Sequence, residues 1–449
     1  MKYKIFTVLT VLLIGFSSCE KKLDELNFDP TALTEVDLRL MLPEAITQSV
    51  FNAGTNQNRI AGIVMQQFRG IDAQQLQYNN YVIGEDAVNN HWNTGLYSGV
   101  LRSCQVIIDK ATENGAPFYS GVAKILMANQ LGIAASMFGD IPFNDALKGS
   151  EVLKPTYDSQ ESVYASVQRL LDEAIAEISA TGYSGGDLIY DGDATAWQAT
   201  ARALKARYLM HTYNRNSGAA ATALTQLNGA FSEAGQPNFT FASSETQNWS
   251  LAKFGIERPS TLMFHERFAA MLEDDPRLPA YGTFDGTFWQ YFGDGLTWSR
   301  SDATVPLISY VEVKFLEAEA LARTGGNASV ALAEGIQASL NLVGVTDNGY
   351  IAANSDLSGL SGEAAIQKII EEAYKAYYGF AFHESWTNYK RTGYPAIPSE
   401  NQVNGFNRSG SVPIRFLYPE SESQTNAENV EAAKGRQDGA LLDSPLWAF

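Results

Sequence analysis

The sequence has 449 residues, of which 45% are hydrophobic, with 32 Lys+Arg against 50 Asp+Glu. That content supplies a sizeable core and excludes wholesale disorder, while a net charge of −18 repels phosphate backbones and argues against a nucleic-acid binder. Two cysteines, one of them at an apparent export boundary, exclude a disulfide framework and a Cys-rich zinc site.

The chain opens with Lys2 and Lys4, followed by a weakly polar to apolar run of 12 residues from Ile5 to Phe16. Spanning a bilayer takes about 20 residues, so this run has the length of a signal peptide. It ends in Phe16-Ser17-Ser18-Cys19, which resembles the lipobox of bacterial lipoproteins, whose cysteine is acylated and becomes the new N-terminus. Phe16 stands where such boxes usually carry Leu. The expected organisation is a lipoprotein signal over 1–18, a lipidated tether over 19–28 anchored at Cys19, and a single domain over 29–449. A chain starting at Cys19 keeps 30 basic and 50 acidic residues, a net charge of −20. No later segment is expected to reach membrane-spanning length.

The body reads as helical. Residues 158–180 place Val163, Val167, Leu170, Leu171, Ala174, Ile175 and Ile178 on one face, with Asp158 as the expected cap. Asp193 is expected to start a helix carrying Trp197, Ala201, Leu204, Tyr208 and His211. Residues 309–323 and 327–343 form a predicted helix pair across Thr324-Gly325-Gly326, and 199–231 repeat that layout with Asn216-Ser217-Gly218 as the turn. Small residues at the contact faces, as in Leu316 and Ala320 before the Gly turn, resemble tetratricopeptide units. Between them lie amide- and aromatic-rich residues 66–99, Gly-, Asp- and Trp-rich residues 281–300, and Pro-, Asn- and Ser-rich residues 392–426, which predict long loops.

Catalytic motifs fail in turn. His265-Glu266 and His383-Glu384 start like a zinc-protease helix, but Ala269 and Thr387 occupy the second-His positions. Gly182-Tyr183-Ser184-Gly185-Gly186 matches a nucleophile elbow only literally, because an amphipathic helix precedes it where a strand is required. Neither phosphate-binding Gly-rich pattern occurs, and Asp191-Gly192-Asp193 and Asp294-Gly295 do not continue into a calcium loop. Paired acids such as Glu317/Glu319 and Glu371/Glu372 sit one or two residues apart on predicted helices and point in different directions. Asp275 is expected to pair locally with Arg277, and Cys104 to be a buried free thiol. No metal or cofactor is expected.

Several segments in order resemble the SusD/RagB family of outer-membrane nutrient-binding lipoproteins. They are Asn90-His91-Trp92-Asn93 through Tyr97 to Ile108, Phe138-Gly139-Asp140-Ile141-Pro142, Asp275-Pro276-Arg277-Leu278, and Glu312 to Ala320. Trp386 to Pro395, Pro413 to Pro419 and Asn426 to Asn429 follow. The terminus Leu446-Trp447-Ala448-Phe449 departs from the Trp-Trp-Asp ending of many members. The resemblance implies a mainly α fold, a tetratricopeptide-like helix-pair superhelix with long irregular ligand-binding loops. It also implies surface exposure on an outer membrane, a SusC-like TonB-dependent transporter as partner, and a glycan or peptide ligand. On physical grounds Gly139 to Pro142 end an apolar helix, with Asp140 expected to hold the turn.

The expected function is non-catalytic glycan binding; the alternative is a helical surface glycoside hydrolase with unrecognised carboxylates. A sugar needs exposed aromatic platforms flanked by amides or carboxylates. Two stretches offer that mixture. Tyr78, Tyr81 and Trp92 sit among Asn79, Asn80, Asn89, Asn90 and Asn93, while Trp289, Tyr291 and Trp298 sit among Asp285, Gln290, Asp294 and Arg300.

Overall fold

A computed structural model describes residues 36–449. The Cys19 anchor, the signal run and the tether therefore lie outside the described residues. Helices dominate. Chain order gives α1 (Leu38–Phe51), α2 (Asn56–Val64), α3 (Arg102–Glu113), α4 (Pro117–Phe138), α5 (Gln160–Glu177), α6 (Ala194–His211) and α7 (Ala219–Leu227). They continue with α8 (Tyr310–Arg323), α9 (Ser329–Leu342), α10 (Glu363–Ala376) and α11 (Phe382–Thr392).

From α3 to α9 each of these helices packs on the next, and α10 returns against α8, so the helices build one continuous stack. Both predicted pairs are present, as α6 with α7 and α8 with α9. Elsewhere in the stack, glycines let α4 approach its neighbours closely. A Cβ on Gly132 of α4 would lie 2.2 Å from the Tyr208 ring of α6, and one on Gly121 would lie 2.7 Å from Ile178. Helix starts follow side-chain chemistry: Asp193 accepts from the N–H of Thr195 and Ala196, and Ser309 accepts from the N–H of Glu312 at 3.0 Å.

Two helix-end expectations are corrected. Ser159, not Asp158, caps α5 by accepting from Ser162 N–H, because Asp158 is drawn away to the N–H groups of Phe143 and Asn144, both at 2.9 Å. Asp140 does not bond its own turn. One carboxylate oxygen accepts from the N–H of Gln160 at the start of α5, and the other accepts from Arg436 at 2.7 Å. Gly139, at φ +83°, ends α4 as its glycine allows.

α4 also revises the expectation about length. Its 22 residues are long and apolar enough to cross a bilayer, yet 94% of the apolar window is buried inside the protein, which makes it the central core helix. The tail is packed as well: the Ala448 N–H donates to Gln160 at 2.9 Å, and Phe449 lies against the His211 ring.

Outside the stack the chain is irregular. Among the described residues three short antiparallel ladders occur: β1 (Phe68–Gly70) with β3 (Leu262–Phe264), β2 (Asn238–Thr240) with β6 (Thr304–Pro306), and β4 (Thr283–Phe284) with β5 (Trp289–Gln290). Residues His91–Leu101 are wound as a wide π-helix that runs into α3. α2 ties this half to the stack through its packing on α11 and on β1.

Candidate functional site

The segment from Thr283 to Thr304 supplies both exposed aromatic surface and a concave polar surface. Its first part is the β4–β5 hairpin. Asp285 closes the hairpin by accepting from the N–H of Thr287 at 2.8 Å and of Phe288 at 2.9 Å, and from the Gln290 amide at 2.7 Å. Those bonds, led by the Phe288 N–H, lower the Asp285 carboxyl and keep it ionised. The turn turns Phe284 and Phe288 outward, 55% and 43% exposed, with Trp289 half-buried beside them. The Phe284 and Trp289 ring centroids are 5.7 Å apart, and Trp289 rests on Phe264 behind it.

Three residues beyond the hairpin, Gly293 to Arg300 and then Asp302 to Thr304 line a groove of about 810 Å³. Asp294, Thr297, Ser299, Arg300, Asp302 and Asn341 place acceptors and donors along it. Arg300 is held by Asp302 at 3.1 Å. The volume falls within the range that small ligands occupy, and the lining suits hydroxyl-bearing ligands more than apolar ones.

The other predicted platform residues are corrected by their surroundings. Trp92 is fully buried, with its ring centroid 4.9 Å from that of Tyr97 and 5.0 Å from that of Phe138. Tyr78 and Tyr81 are buried too; the Tyr78 hydroxyl bonds the Asn56 amide, and the Tyr81 hydroxyl accepts from the N–H of Glu400. Tyr291 lies edge-on to Phe68 at 5.1 Å, and Trp298 is pinned against Gly379 and Phe380 at the base of the groove. In each case burial removes the open ring face a sugar would need. Of the six predicted aromatics only Trp289 offers partly open surface. Phe284 and Phe288 were missed, although they stand on either side of the Asp285-Gly286 turn in the same aperiodic stretch.

The catalytic candidates are absorbed into structure. His265 caps the short helix Glu266–Met271 by accepting from the Arg267 N–H at 3.0 Å, and His383 is buried. Ser184 of the elbow-like stretch bonds the Tyr119 hydroxyl at 3.1 Å, in a loop where Gly182 lies against Ala116. Asp275 pairs with Arg277 at 2.6 Å, and Glu372 joins that pair at 3.1 Å. Among the described residues no three His, Cys, Asp or Glu side chains are grouped to hold a metal ion.

Residues 30–419 match the SusD-like family described as "Starch-binding associating with outer membrane". The chain belongs to the SusD-like family. Its fold is that of SusD/RagB proteins. A SusD/RagB protein from Bacteroides thetaiotaomicron is 24% identical, with a TM-score of 0.76 over 92% of this chain and 99% of its own. A chitin-binding protein is 22% identical, with a TM-score of 0.75 over the same shares. A SusD homologue from Bacteroides fragilis is 22% identical, with a TM-score of 0.74, again over 92% and 99%. No curated protein matches the sequence. Family membership places this chain in a group described as starch-binding and associated with the outer membrane, and the helical SusD-like architecture is the one expected from the sequence.

Proposed function

We propose that this SusD-like protein is a non-catalytic, lipid-anchored surface receptor that captures an oligosaccharide on segment 283–304 and hands it to a SusC-like transporter. The observation that carries the reading is the hairpin with exposed Phe284 and Phe288 and half-buried Trp289, next in sequence to a polar groove, in a family described as starch-binding. Aromatic faces stack on the C–H faces of sugar rings, while Asp294, Asn341 and Arg300 meet hydroxyls. Trp289 is the central ring of the platform, held from behind by Phe264.

Calorimetric titration with starch- and chitin-derived oligosaccharides tests this. Alanine at Phe284 and Phe288 together should weaken binding about tenfold or more with little change in stability, since each stacking contact is worth roughly a kcal/mol. New reducing ends on incubation would instead establish the glycoside hydrolase. Cys19→Ala should release the protein from membranes, and gentle solubilisation of wild-type membranes should recover it with a barrel across an interface of about 2,000 Å² or more.

A further inference from the structure

The groove of segment 283–304 has a sign as well as a shape, and both of its walls carry the same one. One wall is Gly293 to Arg300 with Asp302 to Thr304. Arg300 is the single base among the residues that line the groove, against the two acids Asp294 and Asp302. Asp302 accepts from both Nε and Nη2 of Arg300, at 3.1 and 3.2 Å. Those bonds raise the Arg300 guanidinium and lower the Asp302 carboxyl, so both stay ionised and their charges cancel. Asp294, which is exposed, is left as the surplus charge of the lining.

The other wall is the end of α9, where Asn341, Leu342, Val343 and Gly344 line the groove. A helix ends in carbonyls equivalent to roughly half a negative charge, which a basic residue in the last turn would offset. α9 has none there. Its Asn341 amide also donates to Glu233 Oε1 at 2.9 Å, which brings a further carboxylate towards the rim.

The neighbours do not reverse that sign. Helix Ser250–Glu257, which packs on Thr297–Ser299, sets Lys253 against Glu257 at 3.7 Å and adds no net charge through that pair. In the hairpin, Asp285 is ionised and residues 283–292 hold no base.

A carboxylate or sulfate on a sugar is met by a free cation or by a helix N-terminus. This groove offers it an arginine already occupied and a helix C-terminus. A protonated amine finds the opposite, because Asp294 and the carbonyl end of α9 both attract it. Hydroxyls donate and accept, so they are served either way. We propose that the groove is charge-selective, binding amine-bearing glycans above neutral ones and neutral above anionic ones. Asp294 sets the order as the surplus charge, and Asp302 sets it as a positioning residue that keeps Arg300 occupied. That order presupposes the glycan site on segment 283–304 and adds the class of sugar it takes. Exposed charge contacts are weak, so each step should be about two- to fivefold in Kd at low salt. The steps should shrink towards equality at about 0.5 M NaCl.

Calorimetric titration at mildly acidic pH, where sugar amines are protonated, tests the order with chitohexaose and maltohexaose, each in neutral, amine-bearing and sulfated form. On a backbone that binds, the amine form should bind tightest and the sulfated form weakest. Asp294→Asn should lower the amine-to-neutral affinity ratio about two- to fivefold. Asp302→Asn frees Arg300 and should raise the sulfated-to-neutral ratio by a similar factor. Equal affinities for the three forms, or tightest binding of the sulfated one, overturn the charge order and leave the glycan site standing. An order unchanged in both variants overturns its assignment to this groove. No binding of any hexamer overturns the glycan site itself, and the charge order with it.

Discussion

Glu319 and Arg391, 72 residues apart in sequence, meet as a buried two-point pair, with both carboxylate–guanidinium contacts at 2.7 Å. The pair joins α8 to α11, and Arg323 adds a third contact to Glu319 at 2.7 Å. A carboxylate inside protein is tolerated only when its lone pairs are this fully engaged. Arg391→Ala leaves Glu319 with a single partner, so unfolding in urea should show a loss of about 3–5 kcal/mol. A loss below about 1 kcal/mol would mean that the seam tolerates the charge in another way.

Acid should unfold the protein through the same residue. Burial would raise the Glu319 carboxyl, but Arg391 and Arg323 outweigh burial and hold it at about 2. Its folded pKa is below the unfolded value of about 4.3, so its contribution is complete above that value and is lost as pH falls towards 2. His91, lowered to about 4 by burial, works in the same direction from about pH 6.5 downwards, because the unfolded ring takes up a proton that the folded one refuses. Urea midpoints should fall steadily from about pH 6 to 3, and a flat profile over that range would contradict both assignments.

Close helix contact predicts a third result. Gly132→Ala drives a methyl group into the Tyr208 ring, whose hydroxyl is tied to the Asn129 carbonyl at 2.8 Å and so resists moving aside. A destabilisation of about 1–3 kcal/mol is expected by thermal melting. Gly325→Ala meets no atom but requires a left-handed backbone, with φ +76°, and should cost only about 1 kcal/mol.

The two kinds of aromatic in segment 283–304 should separate under mutation. Trp298→Ala empties a packed site against Gly379 and Phe380 and should cost about 3–5 kcal/mol. Phe288→Ala, on the open hairpin, should change stability by about 0.5 kcal/mol or less. Equal losses for the two would show that the hairpin is part of the core.

Cys104 gives a probe of unfolding. Burial, with the Glu44 charge adding to it, raises its thiol far above the usual range. An alkylating reagent should therefore label it only at the rate of global unfolding. Rapid labelling of native protein would place an opening beside α3.

Much of the helical half was legible because it obeys local rules. Asp193 and Ser309 cap helices through their own side chains, the 3.6-residue period marks α5, and Gly turns separate α8 from α9. Asp158 shows the limit: its sequence setting suits a cap, but two N–H groups brought from residues 143 and 144 compete for the same oxygen and win. α4 shows another, since length and apolarity read alike for a core helix and a membrane helix until burial distinguishes them.

The candidate site was less legible for the same reason. Composition identified the segment over 281–300, and its lack of period indicated a loop. Whether Trp289, Tyr291 or Trp298 faces solvent depends on Phe264, Phe68 and Phe380, which come from distant parts of the chain. What the sequence by itself determined was helix content, caps such as Asp193, and the family motifs, all set by neighbours within a few residues. The tertiary structure alone decided which aromatics stay open and which charges are locked together as Glu319 with Arg391, because burial and pairing are properties of chain segments that meet only on folding.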